Sequence, residues 1–241
     1  MSIDQWIAMI SSIAGCLAAV AAFLAIRQYA KQREATYRPD IVVIRTPFKY
    51  SVEVEDAKDV LLLAEFRNVD DKGHIRSGGG WFRIPVRNVG LGAAKRVSVT
   101  WSYPFESSVA EANVLSMQVL GEELFSYKDG KLEVVAGASR GLASLWKNQR
   151  QRTYDCMHPS TDSSDQVYLT TPSSITMVVA ALIRLTALCN DRPTSFEYSG
   201  IEIEFEYHDI GGKKHSVVVP LSIDLNSISS TGCEFTGSLQ R

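Results

Sequence analysis

The sequence predicts a mainly β protein with an N-terminal transmembrane helix, antiparallel strands and one or two helices packed on them. Ile7–Ile26 is a run of twenty uncharged residues. As a helix it would be about 30 Å long, which matches the hydrocarbon layer of a bilayer. Beyond Pro39, short segments alternate apolar and polar residues and are separated by Gly, Asn and Asp, as half-buried strands are.

The composition is that of a folded protein, with 45% hydrophobic and 22% charged residues among 241. We expect one β domain at 39–225 after the membrane segment 1–38, and a flexible tail at 226–241. After Pro39 there are 21 Lys or Arg against 25 Asp or Glu, so no broad nucleic-acid-binding face is predicted. The cysteines form no CxxC pair, which favours free thiols in a reducing compartment; they are Cys16, Cys156, Cys189 and Cys233.

The charges that flank the apolar run predict its orientation. Asp4 alone precedes it, whereas Arg27, Lys31, Arg33 and Arg38 follow it. Because Lys and Arg stay on the cytoplasmic side, we expect a single-pass plasma (inner) membrane protein with its N-terminus outside and its C-terminal domain in the cytoplasm. A cleaved signal peptide is the alternative, but a basic segment before the apolar run is missing.

Small residues recur along the predicted span. Ser11, Gly15 and Ala19 are four apart, and so are Ala14, Ala18 and Ala22. Small residues at this spacing let two helices approach closely, which predicts a homo-oligomer through the span. The alternative is that alanine only fills a weakly hydrophobic helix.

Several strands are predicted before residue 104. The helix should continue to Tyr37 and stop before Pro39, because the residue before a proline favours extended backbone. The predicted strands are 41–46, 50–55, 60–67, 81–87 and 95–103. The loop Asn68–Gly80 contains glycines but lacks the Lys-Ser/Thr end of a phosphate-binding loop, so we expect a connector.

Two segments resemble a known group of proteins. Arg87-Asn-Val-Gly-Leu-Gly-Ala-Ala94, followed by alternating valines, resembles a segment of Ig-like β-sandwich domains, including those of single-span bacterial membrane proteins of unknown function. Arg38-Pro-Asp-Ile-Val-Val43, which follows an apolar span and a basic helix, resembles the same group. The resemblance implies an antiparallel Ig-like β-sandwich on the cytoplasmic side, and it implies no catalytic residue.

Helices and hairpins are predicted in the second half. Glu106–Leu120 has helical spacing, and Lys128-Asp-Gly-Lys131 is a hairpin turn. We expect a packed helix at Ile175–Cys189, with a pair of buried strands as the alternative. Ile201–Tyr207 alternates apolar residues with a row of glutamates, and a turn joins it to the strand Val217–Ile223. The glutamate row is most simply a solvated sheet face.

The best candidate binding site is a long polar segment, Gly137–Gln166. Long irregular segments within compact domains are often functional. Cations around a tryptophan suit an anionic membrane surface, a polyanion or a nucleotide; an ordinary solvated loop is the alternative. The candidate residues are Arg140, Trp146, Lys147, Arg150 and Arg152.

The remaining polar side chains predict no catalytic, cofactor or metal site. Cys156 and His158 have no second pair at ligand spacing. His208 and His215 flank a turn and would face each other across it, most simply as exposed residues.

The leading functional hypothesis is a membrane-anchored protein-binding or assembly module, which is not an enzyme. The alternative is a ligand-triggered membrane effector, for example in bacterial defence, that acts by oligomerisation of its span. Growth arrest by the full chain, lost on removal of residues 1–38, would distinguish the effector.

Overall fold

The computed structural model describes residues 3–52, 64–68, 83–136, 140–141, 143–161, 165–189, 196–228 and 235–240. They form a long N-terminal helix and a mostly antiparallel β body with shorter helices. The helices are α1 (Ile3–Thr36), α2 (Phe105–Val119), α3 (Trp146–Gln149) and α4 (Ser173–Cys189). The strands are β1 (Ile41–Val43), β2 (Thr46–Val52), β3 (Ala64–Asn68), β4 (Arg83–Asn88), β5 (Ala94–Ser102), β6 (Phe125–Lys128), β7 (Lys131–Val134), β8 (Ala143–Leu145), β9 (Gln151–Met157), β10 (Val167–Thr170), β11 (Phe196–His208), β12 (Lys214–Ile228) and β13 (Phe235–Gln240).

The strands form three sheets. The largest has the order β3-β2-β13-β12-β11-β5-β9, and two three-stranded sheets have the orders β1-β4-β10 and β6-β7-β8. The strand expected at 41–46 is divided, because the chain passes from one sheet to another there. At the break between β1 and β2, Ile44 N donates a hydrogen bond to Pro85 O at 3.0 Å, and Thr46 Oγ1 donates one to Ile44 O at 2.9 Å.

The predicted alternation of buried and exposed residues is confirmed in the central strands. Phe205 of β11 lies opposite Val99 of β5, and Ile203 lies opposite Trp101; all four are buried. Their polar neighbour Glu202 is exposed. Only the apolar face of these strands therefore gains from leaving water.

Helix α4 closes the core, as the sequence predicts; the alternative of two buried strands is wrong. Ile84 of β4, Trp101 of β5 and Val179 of α4 line one apolar cavity of about 20 Å³, room for about one water molecule. Two sheets and α4 therefore share a single core.

Two local predictions are confirmed around α2. The helix covers the expected segment, and Gly121 directly after its C-cap has φ +76°, as glycines that end helices do. In the next hairpin Asp129 and Gly130 have φ +54° and +78°, the backbone of a two-residue turn that matches strand twist.

Two predictions are wrong. Gly137–Gln166 is not one irregular segment, because it contains β8, α3 and β9. The described part of the segment 226–241, residues 226–228 and 235–240, is not a free tail, because β12 extends to Ile228 and β13 pairs with both β12 and β2. The expected strand residues 53–55, 60–63 and 81–82, and most of the glycine-containing loop, residues 69–80, lie outside the described residues.

Candidate functional site: the junction between α1 and the β domain

The loop at residues 88–92 packs directly against the segment that connects α1 to β1. A methyl group on Gly92 would overlap the carbonyl oxygen of Tyr37, and one on Gly90 would overlap that of Arg38. The two glycines therefore allow backbone to lie against backbone, which a larger residue would prevent. The loop expected only as a turn between strands thus holds the connection to α1.

Asn88 fixes this contact with its side-chain amide. Its Oδ1 accepts hydrogen bonds from Asp40 N at 3.0 Å and Gly90 N at 3.1 Å. Its Nδ2 donates to Gly92 O at 2.7 Å and Met157 O at 3.1 Å. Asn88 is only 2% exposed, so loss of these bonds would leave buried polar groups unpaired. One amide therefore joins the connecting segment, its own loop and the end of β9.

Tyr207 also contacts the segment that connects α1 to β1. Its hydroxyl donates to Pro39 O at 3.2 Å, and its ring stacks on His215 with centroids 5.4 Å apart. Burial raises the pKa of Tyr207, and Arg38 opposes this rise. The tyrosine therefore stays protonated and able to donate at neutral pH.

His215 continues this chain of contacts to the turn between β11 and β12. Its Nε2 lies 2.9 Å from Asp209 Oδ2; this hydrogen bond is the main cause that lowers the pKa of Asp209. The expectation that the two histidines face each other is wrong, because His215 lies opposite Tyr207 and His208 opposite Lys214. His215 is also largely buried rather than exposed.

These contacts leave little freedom between α1 and the β domain. Helix α1 ends at Thr36 and β1 begins at Ile41. Val89 N also donates to Asp40 O at 2.8 Å. Because backbone and side-chain bonds hold the short connection, we expect force or rotation at α1 to reach the β domain without a flexible linker.

Helix α1 has the length and composition of a membrane span. It has a mean hydropathy of 2.3 over an 18-residue window that is not buried against the rest of the protein. Ser11, Gly15 and Ala19 are exposed, and a methyl group on Gly15 would meet nothing within 4 Å. Beside them Ser12, Cys16 and Val20 line a shallow groove. The predicted self-association face is therefore open, and its use stays a prediction.

The predicted basic site is spread over two sheets. Arg140 lies at one end of β7, where Gly141 N donates to Val134 O, whereas the Lys147 side chain lies over Gly130 at the other end. The four residue steps from Gly130 to Val134 span about 13 Å, so Arg140 and Lys147 lie near opposite ends of β7. Arg150 precedes β9 and Arg152 lies within it, beside Tyr154. All four cations are exposed, and their role in binding stays a prediction.

Trp146 belongs to the core rather than to a surface. It is buried, and its ring lies 4.7 Å from that of Phe105. Phe105 also stacks on Tyr127 at 5.1 Å. The tryptophan thus anchors the sheet β6-β7-β8 on α2, and its ring is not presented to a ligand.

Sequence reasoning missed the roles of Asn88, Gly90, Gly92 and Tyr207. The signal present was an asparagine with glycines two and four residues later, which local chemistry explains as a turn. Among the described residues, no three His, Cys, Asp or Glu side chains are grouped to hold a metal ion. Cys16, Cys156 and Cys189 are free thiols, as expected.

Comparisons with protein-family models, with curated proteins and with solved structures give no match for this chain. The resemblance to Ig-like domains of single-span membrane proteins stays a prediction.

Proposed function

We propose that the chain is a membrane-anchored assembly module. Helix α1 spans the bilayer and self-associates, and the β domain binds a protein partner in the cytoplasm. The observation that carries this proposal is the junction at residues 37–40, which Asn88 and Tyr207 hold by hydrogen bonds. A domain that only needed tethering would tolerate a flexible linker, whereas an assembly that couples its span to its domain requires a fixed one.

The partner surface that we assign is the outer edge of β9. This strand is at the edge of the seven-stranded sheet, and Gln151, Arg152 and Thr153 are exposed. An edge strand can pair with an extended segment of another protein. Arg150 and Arg152 favour a partner segment with acidic side chains.

We also propose that the sheets form an Ig-like β-sandwich. The cavity that Ile84, Trp101 and Leu221 line from two different sheets supports this arrangement, because sandwich cores are built from both inner faces.

The native cysteine in the span provides the test. In the full chain with Cys156, Cys189 and Cys233 replaced by Ser, oxidation in native membranes should link two copies through Cys16, which lies beside Gly15. Gly15→Leu should greatly reduce this cross-linking because it blocks close approach. Ala21→Leu is the matched control, since it lies about 120° around the helix from Gly15.

Equal cross-linking in both variants, or none in the parent, would contradict assembly through this face. A reporter that is active only in the cytoplasm, fused to Arg241, tests the orientation. An inactive reporter would exclude a cytoplasmic C-terminal domain. Growth arrest by the full chain, but not by a chain lacking residues 1–38, would favour a membrane effector instead.

A further inference from the structure

Four large apolar side chains are exposed around the point where α1 meets the β domain. Tyr37 is 49% exposed, Val89 51%, Leu91 63% and Ile210 57%. Large apolar side chains that are exposed together often mark a contact site. We call these four residues the junction ring.

The contacts of the junction place the ring on one end of the domain. Val89 and Leu91 alternate with Gly90 and Gly92, whose backbone lies against residues 37–40. Ile210 is in the turn after Tyr207, whose hydroxyl bonds to Pro39. Lys95 pairs with His208, so the loop before β5 and the turn after β11 lie at the same end of the large sheet, where residues 37–40 pack on the loop.

The length of α1 argues against the lipid surface as the partner of the ring. Tyr37 is eleven residues beyond Ile26, and α1 is helical up to Thr36. This places Tyr37 about 16 Å beyond the hydrocarbon layer. The polar lipid layer on one side is only about 5–8 Å thick, so the ring stands clear of the headgroups unless α1 tilts far beyond its usual range.

The length of α1 also favours a second copy of the chain as the partner of the junction ring. Gly15 and Tyr37 are separated by about 33 Å along the helix. If two helices cross at Gly15 about 8 Å apart and at an angle of 20–40°, their ends at Tyr37 are about 14–24 Å apart. A domain of about 200 residues is about 40 Å across. Two domains fixed to these ends are therefore brought into contact beside the helix ends, where the rings lie.

Charges next to the ring suit a two-fold contact. Arg38 and Asp40 flank buried Pro39, and both are exposed. In a symmetric pair each residue of one copy meets the reciprocal residue of the other. Arg38 of one copy can thus face Asp40 of the second while the apolar ring side chains leave water.

We propose that the junction ring is the contact between the β domains of two copies, brought together by association of their spans. This inference rests on the proposed self-association of α1. The occupant is a second copy of this chain, and the junction transmits the span geometry to the ring.

The test uses the full chain in native membranes with all four native cysteines replaced by Ser. The variant L91C should cross-link into dimers on oxidation, and Gly15→Leu should abolish this product. V218C is the matched control, because Val218 is 53% exposed on β12, away from the ring, and it should not cross-link.

The Cys16 experiment distinguishes the two proposals. If Cys16 cross-links and L91C does not, the ring proposal is overturned while assembly through the span stands. If neither cross-links, both proposals fail. Cross-linking of L91C that survives Gly15→Leu would also overturn the ring proposal, because the contact would not depend on the span.

Discussion

Replacing Gly92 with Ala should loosen the junction by a predictable amount. The added methyl group overlaps the Tyr37 carbonyl oxygen, so the loop and the connecting segment must separate. Gly92 does not have a positive φ, and the substitution therefore adds no backbone strain of its own.

Separation would break the two hydrogen bonds that cross from the loop to the connecting segment. They are Asp40 N to Asn88 Oδ1 at 3.0 Å and Val89 N to Asp40 O at 2.8 Å. At about 1 kcal/mol each, their loss costs about 2 kcal/mol. Reduced freedom of the unfolded chain offsets about 0.4–1 kcal/mol. We expect a net loss of about 1 kcal/mol in the free energy of unfolding.

Urea denaturation of the full chain in detergent, followed by tryptophan fluorescence, measures this loss, since Trp101 and Trp146 are buried. Gly211→Ala is the control, because its methyl group would meet only Asp209 Oδ1, at 3.3 Å. If the two variants unfold at the same urea concentration, the packing of the loop on residues 37–40 is not a stabilising contact.

Three further predictions concern the β domain. Phe205→Ala should cost about 3–5 kcal/mol in urea melts because it empties a core position, whereas exposed Glu202→Ala should cost under about 0.5 kcal/mol; equal melts would mean that the faces of β11 are misassigned. Deletion of residues 229–241 should lower the melting temperature by several degrees, because β13 joins β2 to β12; an unchanged melt would restore the free tail. The stability advantage of the parent over Asp209→Asn should persist above about pH 4 and be lost as the pH falls below it, because the pKa of Asp209 is lowered in the folded state; an advantage that does not change with pH would exclude the charged Asp209 carboxylate as its source.

Local sequence patterns predicted the elements that a regular spacing of apolar residues identifies. Val97, Val99 and Trp101 alternate with polar residues, and the structure buries all three. Alternation with period two needs no knowledge of the partner strand. The same alternation in Ile201–Tyr207 predicted β11, whereas α4 was predicted from a continuous apolar segment after Pro172-Ser-Ser.

Long-range contacts explain what the sequence did not predict. Asn88 bonds to Asp40 N and Met157 O, residues far away in the chain, so its local pattern indicated only a turn. Trp146 was assigned to a surface because its neighbours are charged, but contact with Phe105 buries it. The residues of β13 are mostly small and polar and do not alternate with apolar residues, so no pattern predicted a strand there. Backbone pairing with β12 and β2 makes this segment a strand.

Helix α1 and the β domain should move as one body. A distance measurement between two spin labels across the junction tests this, with the labelled full chain diluted in an excess of unlabelled chain in lipid nanodiscs, the native cysteines replaced by Ser, and the labels on E34C and T153C, both at exposed positions. We predict a single narrow distance distribution, as narrow as that of a pair within the β domain on T153C and V218C. A distribution as broad as that of a variant with a Gly-Ser insertion between Arg38 and Pro39 would contradict a fixed junction.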